Sequence, residues 1–294
     1  MCKDIFYHLC TMLLEKFLGF TNILIALGAG ATVILTGLSL GLKLETLDSA
    51  YLVTALTGLG YSAQRFIKVR SFPHTARPVI VDFYKKFGLG LVIVWGCILV
   101  AILEYFDLSF THDAYFMGGV LILLGISYAS FPLREKPYLK LPLISIVWAL
   151  TTVVFPVILI DKISTVYVGI LVAVFVSRTL YIAGITIPFD VSDLEIDDLK
   201  MKTIPQVLGI ERALVRAMWL VGGSGAVWGG LALGGLINPI IGYGLFIHAI
   251  ISIPFVSPKF FNKFKRNRHH TLLLDGMLSL QFVILLSWYL IVQT

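Results

Sequence analysis

Nine apolar runs, each of about membrane-crossing length, divide this chain almost completely. They cover about 17–40, 50–66, 87–103, 114–131, 141–160, 163–189, 213–236, 237–256 and 271–292. A helix needs roughly 20 mostly apolar residues to cross a hydrocarbon core about 30 Å thick. No connection between the runs is long enough to fold as a soluble domain. Of the 294 residues, 58% are hydrophobic and 14% charged, and the mean hydropathy is +0.91. Soluble domains are about half apolar and a quarter charged. The expected fold class is therefore all-α: a polytopic membrane protein, a bundle of nine transmembrane helices, with residues 1–294 as one domain. The first run is too long for a signal-peptide core and lacks a small-residue cleavage site, so it is read as retained.

Charge placement tests that count independently. With the N-terminus inside and nine crossings, the inner segments hold Lys3, Lys16, Arg65, Lys68, Arg70, Arg77, Lys85, Lys86, Arg134, Lys136, Lys140, Lys200, Lys202, Arg212, Arg216, Lys259, Lys263, Lys265, Arg266 and Arg268. The outer segments hold Lys43 and Lys162, and Arg178 lies within a span. The positive-inside rule demands this asymmetry, and a span missed before the middle of the chain would scramble it. The net charge of +6 thus reflects inner loops beside anionic lipid, not nucleic-acid binding. The basic run Lys263–His270 reads as a topology anchor. Cys2, Cys10 and Cys97 show neither metal-ligand spacing nor an evident pairing, and the histidines form no HExxH-type zinc arrangement.

One inner connection carries chemistry-bearing residues. Asp190, Asp193, Glu195, Asp197 and Asp198 end the sixth run, followed by Lys200 and Lys202. Read as a helix, Asp190, Asp193 and Asp197 fall within roughly 60° of one another, and Glu195 points elsewhere. Three carboxylates on one face repel unless a cation lies opposite. The plain alternative is a solvated acidic helix end. The spacing instead suggests Mg²⁺, which takes oxygen ligands from one or two carboxylates plus substrate phosphates, with lysines neutralising the remaining charge.

Asp190-x-x-Asp193-x-x-x-Asp197, continued by Lys202-Thr203-Ile204-Pro205 and Val207-Leu208-Gly209, resembles the second aspartate-rich motif of the UbiA superfamily of intramembrane prenyltransferases. The nine-span pattern is similar to that family over nearly the whole chain. Its members join an isoprenyl group from a Mg²⁺-bound diphosphate to an aromatic or lipid acceptor. The resemblance implies Asp190, Asp193 and Asp197 as catalytic metal ligands. It has one local departure: no glycine occurs between Asp197 and Thr203, where the family often has one, and the loop looks one residue shorter.

The first motif departs further. The family has Asn-Asp-x-x-Asp-x-x-x-Asp at the end of the second span, with an arginine after the second aspartate. Anchored on Arg65, this chain reads Gly60-Tyr61-Ser62-Ala63-Gln64-Arg65-Phe66-Ile67-Lys68, so Tyr61, Gln64 and Lys68 replace the carboxylates. The downstream Ala76-Arg77-Pro78 looks like the family's Asn-Arg-Pro. Tyr61, Gln64, Arg65 and Lys68 share one helical face, which has changed from anionic to cationic. Two readings stay open: Arg65 and Lys68 bind the diphosphate in place of a metal, or they pair with Asp190, Asp193 or Asp197 in an inert polar core.

Three further features complete the reading. Ser127–Arg134 and Lys140 look like the family's Tyr-Pro-x-x-Lys-Arg loop, against the alternative of an interfacial Tyr/Lys belt. Arg178 precedes Asp190 by about 18 Å of helix and, as an intramembrane cation, should face a cavity or a structural partner. Glycines 222, 223, 225, 229, 230, 234 and 235 suit close helix contacts.

The implied reaction is prenyl transfer within an apolar cavity opening to the inner side. Tyr61, Gln64, Arg65, Lys68, Lys140, Arg178, Lys200 and Lys202 would be the substrate-binding set. The partners would be a prenyl diphosphate, a hydrophobic aromatic or lipid acceptor, and membrane lipid. The expected location is a bacterial inner (plasma) membrane with the N-terminus cytoplasmic. The alternative is a catalytically inactive relative that binds isoprenoid or lipid or scaffolds a membrane complex. A secondary transporter fits less well, because the polar clusters sit at one interface rather than at midplane helix breaks.

Overall fold

In the computed structural model, residues 16–42, 47–73, 76, 78–106, 110–130, 136–163, 166–264 and 269–293 are described. Arg77, Arg134 and the 131–135 part of the expected Tyr-Pro-x-x-Lys-Arg loop lie outside them. Among these residues, a π-helical turn, Lys16–Phe20, leads into twelve α-helices. These are α1 (Ile23–Ser39), α2 (Leu47–Ser71), α3 (Pro78–Phe106), α4 (His112–Ser130), α5 (Lys140–Ala149), α6 (Phe155–Leu159), α7 (Val168–Ser192), α8 (Ile204–Leu208), α9 (Ile210–Leu233), α10 (Pro239–Phe255), α11 (Pro258–Phe264) and α12 (His269–Gln293). A π-helical turn, Leu150–Val154, joins α5 to α6 as one span. With α8 and α11 as short connectors, a helical segment stands at each of the nine expected positions among the described residues.

Pro78–Phe106, Lys140–Leu159 and Val168–Ser192 are each long and apolar enough to cross a membrane alone. Ile23–Ser39, His112–Ser127, Pro239–Phe255 and Leu272–Leu285 are shorter apolar helices. Helix α2 outruns its apolar segment, because its last turns carry Lys68 and Arg70, which a helix can hold beyond the hydrocarbon.

Neighbouring helices form a closed ring: α1, α2, α4, the α5–α6 span, α7, α9, α10, α12 and back to α1. Helix α3 packs on the outside of α2 and buries only Val81, Tyr84, Gly88 and Trp95. Its remaining apolar surface, including Phe87, Ile93, Val94 and Val100, is exposed, as a lipid-facing helix should be. The ring interior holds buried Thr32, Thr36, Thr152, Ser177, Ser224, His248, Ser252 and Gln281. Apolar outside and partly polar inside is the membrane solution, because lipid cannot satisfy a hydroxyl. Thr36 Oγ1 donates to Thr152 O at 2.9 Å, and the Ser177 and Ser224 hydroxyls lie 2.8 Å apart.

Small residues set the close seams. A Cβ at Gly184 would lie 2.6 Å from Val221 Cγ2, and one at Gly225 would lie 2.9 Å from Ala249 Cβ. Of the glycine run in α9, Gly225 and Gly229 face α10, whereas a Cβ at Gly230 would meet nothing within 4 Å. The run is therefore a contact surface on part of its circumference only.

Candidate functional site

The chain enters α1 through a clamp built by α2 and α3. Asn22 adopts a left-handed conformation, φ 62°, which asparagine tolerates better than most residues. Its Nδ2 donates to Ser62 Oγ and Tyr84 OH, each at 2.9 Å. Tyr84 OH donates to Phe20 O at 2.7 Å, and Trp95 Nε1 donates to Thr21 O at 3.0 Å. Arg65 Nη1 completes the clamp by donating to Gly19 O at 2.9 Å. The cationic face is therefore partly engaged by the backbone of the entry to α1. Tyr61 OH accepts from Trp148 Nε1 at 3.0 Å, and the Arg65 guanidinium stands 6.0 Å from the Tyr61 ring centroid. Gln64 and Lys68 are partly buried.

The acidic segment corrects the single-helix reading. Helix α7 stops at Ser192, and Asp193 is its C-cap. The chain then turns, with the amides of Ile196 and Asp197 both donating to Asp193 O, and reaches the 3₁₀ turn Leu199–Met201. Asp197 is brought back beside Asp190 by that turn, not by a continuing helix.

What meets these acids is Lys140, at the start of α5. Its Nζ lies 2.8 Å from Asp190 Oδ1 and 2.5 Å from Asp197 Oδ2. Relative exposure is 7% for Lys140, 1% for Asp190 and 8% for Asp197, so the trio is withdrawn from solvent. Buried charges are tolerated only when paired. Lys140 donates a short hydrogen bond to Asp197. Toward Asp190 the contact is electrostatic, and neither Asp190 oxygen has a hydrogen-bond partner of good geometry. Asp193 is half-buried and Glu195 exposed.

The motif downstream of the acids holds this arrangement. Gln206 Oε1 accepts from the Thr203 amide at 2.9 Å, and its Nε2 donates to Asp197 O at 3.4 Å and Asp198 O at 3.1 Å. Pro205 sits in the first turn of α8, where its missing N–H is no loss. Gly209 turns the chain into α9 at φ 80°, ψ 162°, a backbone region open to glycine alone at low cost. On the other side, the Tyr138 amide donates to Met201 O at 3.0 Å, and Lys202 Nζ lies 5.8 Å from the Tyr138 ring centroid. The loop before α5 and the loop after α7 are thus joined beside the charge cluster. Lys200 and Lys202 are exposed at its rim.

Arg178 is not brought to this cluster. It is buried within the ring, donating from Nη1 to Gln281 Oε1 and from Nη2 to Thr32 O, both at 3.2 Å. Its Nε and the Gln281 Nε2 have no hydrogen-bond partner. A cavity of about 10 Å³, lined by Arg178, Tyr181, Ser224, His248 and Gln281 among others, adjoins them, enough for about one water molecule. Beside it, Tyr181 OH and Ser252 Oγ lie 3.0 Å apart, and His248 Nε2 is 3.1 Å from Met277 O. A larger cavity of about 990 Å³, lined by Ile34, Leu38, Val166, Ile170, Phe282 and Leu285 among others, opens at the opposite end of the bundle. The apolar cavity was expected beside the acids; this one instead lies at the other end, between the ends of α1, α7, α10 and α12.

Magnesium would need Asp190, Asp193 and Asp197 to converge. Among the described residues, no group of three or more His, Cys, Asp or Glu side chains is placed to hold a metal ion. Two of the three aspartates close on Lys140 instead. As arranged, this donor set does not fit a resident divalent ion.

The fold matches solved structures along nearly its whole length. The apo structure of a UbiA homolog from Aeropyrum pernix K1 aligns with TM-score 0.64 at 13% identity, covering 93% of this chain and 98% of that one. A UbiA homolog from Archaeoglobus fulgidus bound to DMAPP and Mg²⁺ aligns with TM-score 0.54 at 16% identity, covering 93% and 98%. A digeranylgeranylglyceryl phosphate synthase, described in membranes, aligns with TM-score 0.53 at 15% identity, covering 95% and 97%. No protein-family model and no curated protein matches the sequence. The chain has the fold of the UbiA homologues: a polytopic helical membrane bundle.

Proposed function

We propose that this chain belongs to the UbiA superfamily and is a membrane-embedded transferase. It would move an isoprenyl group from a prenyl diphosphate to a hydrophobic aromatic or lipid acceptor. The observation that carries the reading is the buried Lys140–Asp190–Asp197 cluster. It lies where the resemblance puts the second acidic motif, at one end of a bundle that shares the UbiA fold over 93–95% of its length. The A. fulgidus homolog's complex with DMAPP and Mg²⁺ makes a prenyl diphosphate the first donor to test. In this reading the acid end faces the cytoplasm, and the positive-inside bias supports that orientation.

The chemistry asks little covalent work of the protein. The bond between the allylic carbon and the diphosphate oxygen breaks, and its electron pair leaves with the diphosphate. The allylic carbon takes on cationic character, bonds to the acceptor, and the acceptor loses a proton. Stabilising the departing charge is the main catalytic term. Basic side chains near this end include Lys200 and Lys202 on the exposed rim, Lys68 on α2, and Arg65, which also donates to Gly19 O. A water-poor site would protect the carbon from hydrolysis.

A second reading is favoured by one specific observation. Lys140 already neutralises part of the acidic pair, and no carboxylate remains at the first-motif positions, so the bundle is also suited to a non-catalytic relative that binds isoprenoid or other lipid. Titration calorimetry of the purified protein with prenyl diphosphates of graded length, followed by release of diphosphate on adding a membrane-lipid extract, separates the two. The transferase reading expects saturable diphosphate binding and turnover. Absence of both at every donor length would leave the lipid-binding relative.

A further inference from the structure

Asp190 and Asp197 are two carboxylates that burial and mutual repulsion would oppose unless a cation lay between them. One does, and it belongs to the chain. Lys140 Nζ stands 2.8 Å from one and 2.5 Å from the other, where a divalent ion would have to sit to be shared by both. Magnesium–oxygen bonds are about 2.0–2.1 Å long and octahedrally arranged, so the ammonium and the metal cannot occupy this place together. Lys140 cannot readily step aside either. Its side chain is 9% exposed, its helix begins at that residue, and the preceding loop is fixed by the Tyr138–Met201 backbone hydrogen bond. Swinging the ammonium away would leave a buried cation and two buried anions without partners at once.

We propose that Lys140 is the resident cation of this acidic cluster, and that it keeps divalent metal from binding to Asp190 and Asp197. The ammonium has three donor hydrogens. One is donated to Asp197, and the ammonium charge faces Asp190 at 2.8 Å. One positive charge serves two carboxylates, so the site keeps an anionic surplus that a metal-filled pair would lack. This inference rests on the geometry of three side chains and holds whether or not the protein is a transferase.

The test is metal binding to purified protein, read from loss of the free Mn²⁺ electron paramagnetic resonance signal and from the thermal shift produced by Mg²⁺. Wild type should show no Mn²⁺ site that depends on Asp197. Lys140→Gln should bind Mn²⁺ roughly tenfold more tightly or better, as freed carboxylates become available to a hard cation. The gain should vanish in Lys140→Gln/Asp197→Asn. Adding inorganic diphosphate to wild type should create no Asp197-dependent Mn²⁺ site. If Lys140→Gln does not fold, wild type against Asp197→Asn decides alone: equal Mn²⁺ titrations, with and without inorganic diphosphate, uphold the proposal. A wild-type Mn²⁺ site lost in Asp197→Asn overturns it. Failure of wild type to bind any prenyl diphosphate would remove the transferase reading and leave this one intact.

Discussion

Arg65 Nη1 donates to the carbonyl of Gly19 at 2.9 Å, across 46 residues of chain. A guanidinium on the altered first-motif face thereby ties α2 to the turn that leads into α1. Arg65→Ala should accordingly lower stability by about 1–2 kcal/mol, the lower part of the range for hydrogen bonds to charged groups, since the site is only partly buried. Thermal unfolding in detergent measures this. Unchanged stability together with lost diphosphate binding would assign the residue to the ligand instead.

Arg178 and Gln281 form an asymmetric pair. Removing the amide leaves a buried cation with one fewer partner, whereas removing the cation leaves only an amide unpaired. Gln281→Leu should therefore destabilise the bundle more than Arg178→Leu, and the double variant should recover part of the loss. Unfolding curves of the three variants in one detergent give the order directly.

The seam between α7 and α9 has little tolerance. Gly184→Leu should cost about 1–3 kcal/mol, because its side chain collides with Val221 and the Ala217 carbonyl. Gly230→Ala, which meets nothing within 4 Å, should be neutral or stabilising by up to about 1 kcal/mol through helix propensity. Folded yield and thermal midpoints check both.

Orientation has its own measurement. Single cysteines at Ser71 and Thr111, in a background lacking Cys2, Cys10 and Cys97, should react oppositely with an impermeant thiol reagent on intact cells. Position 111 should label and position 71 should not, as the distribution of loop cations requires. The reverse pattern would invert the bundle.

The spans were readable because apolar length and loop charge are properties of composition, and each of the nine runs corresponds to a helical segment among the described residues. The acidic segment was readable as a cluster but not in its shape. Helical spacing put three aspartates on one face, whereas the helix ends at Ser192 and a turn returns Asp197 to Asp190. Spacing could not reveal Lys140 as their partner, because the pairing spans 57 residues and arises from α5 lying beside α7. The Asn22 clamp left a faint trace, a lone amide inside the first apolar run. Arg178 was expected to face a cavity or a structural partner, and it meets both on a small scale: two hydrogen-bonded neighbours and a space the size of one water molecule.

The joining of the Tyr138 and Met201 loops has a consequence for how the protein is made. Lys140 leaves the ribosome 57 residues ahead of Asp197. The span it begins must therefore enter the membrane before the counter-charges of its first residue exist. A lysine at the very end of an apolar helix can meet that interval by extending its ammonium to the headgroups. It can be drawn inward only once α7 and the turn after it arrive. The charge cluster is thus a late event of assembly, closing the acid end of the ring only once the sixth span, α7, and the turn held by Gln206 are in place.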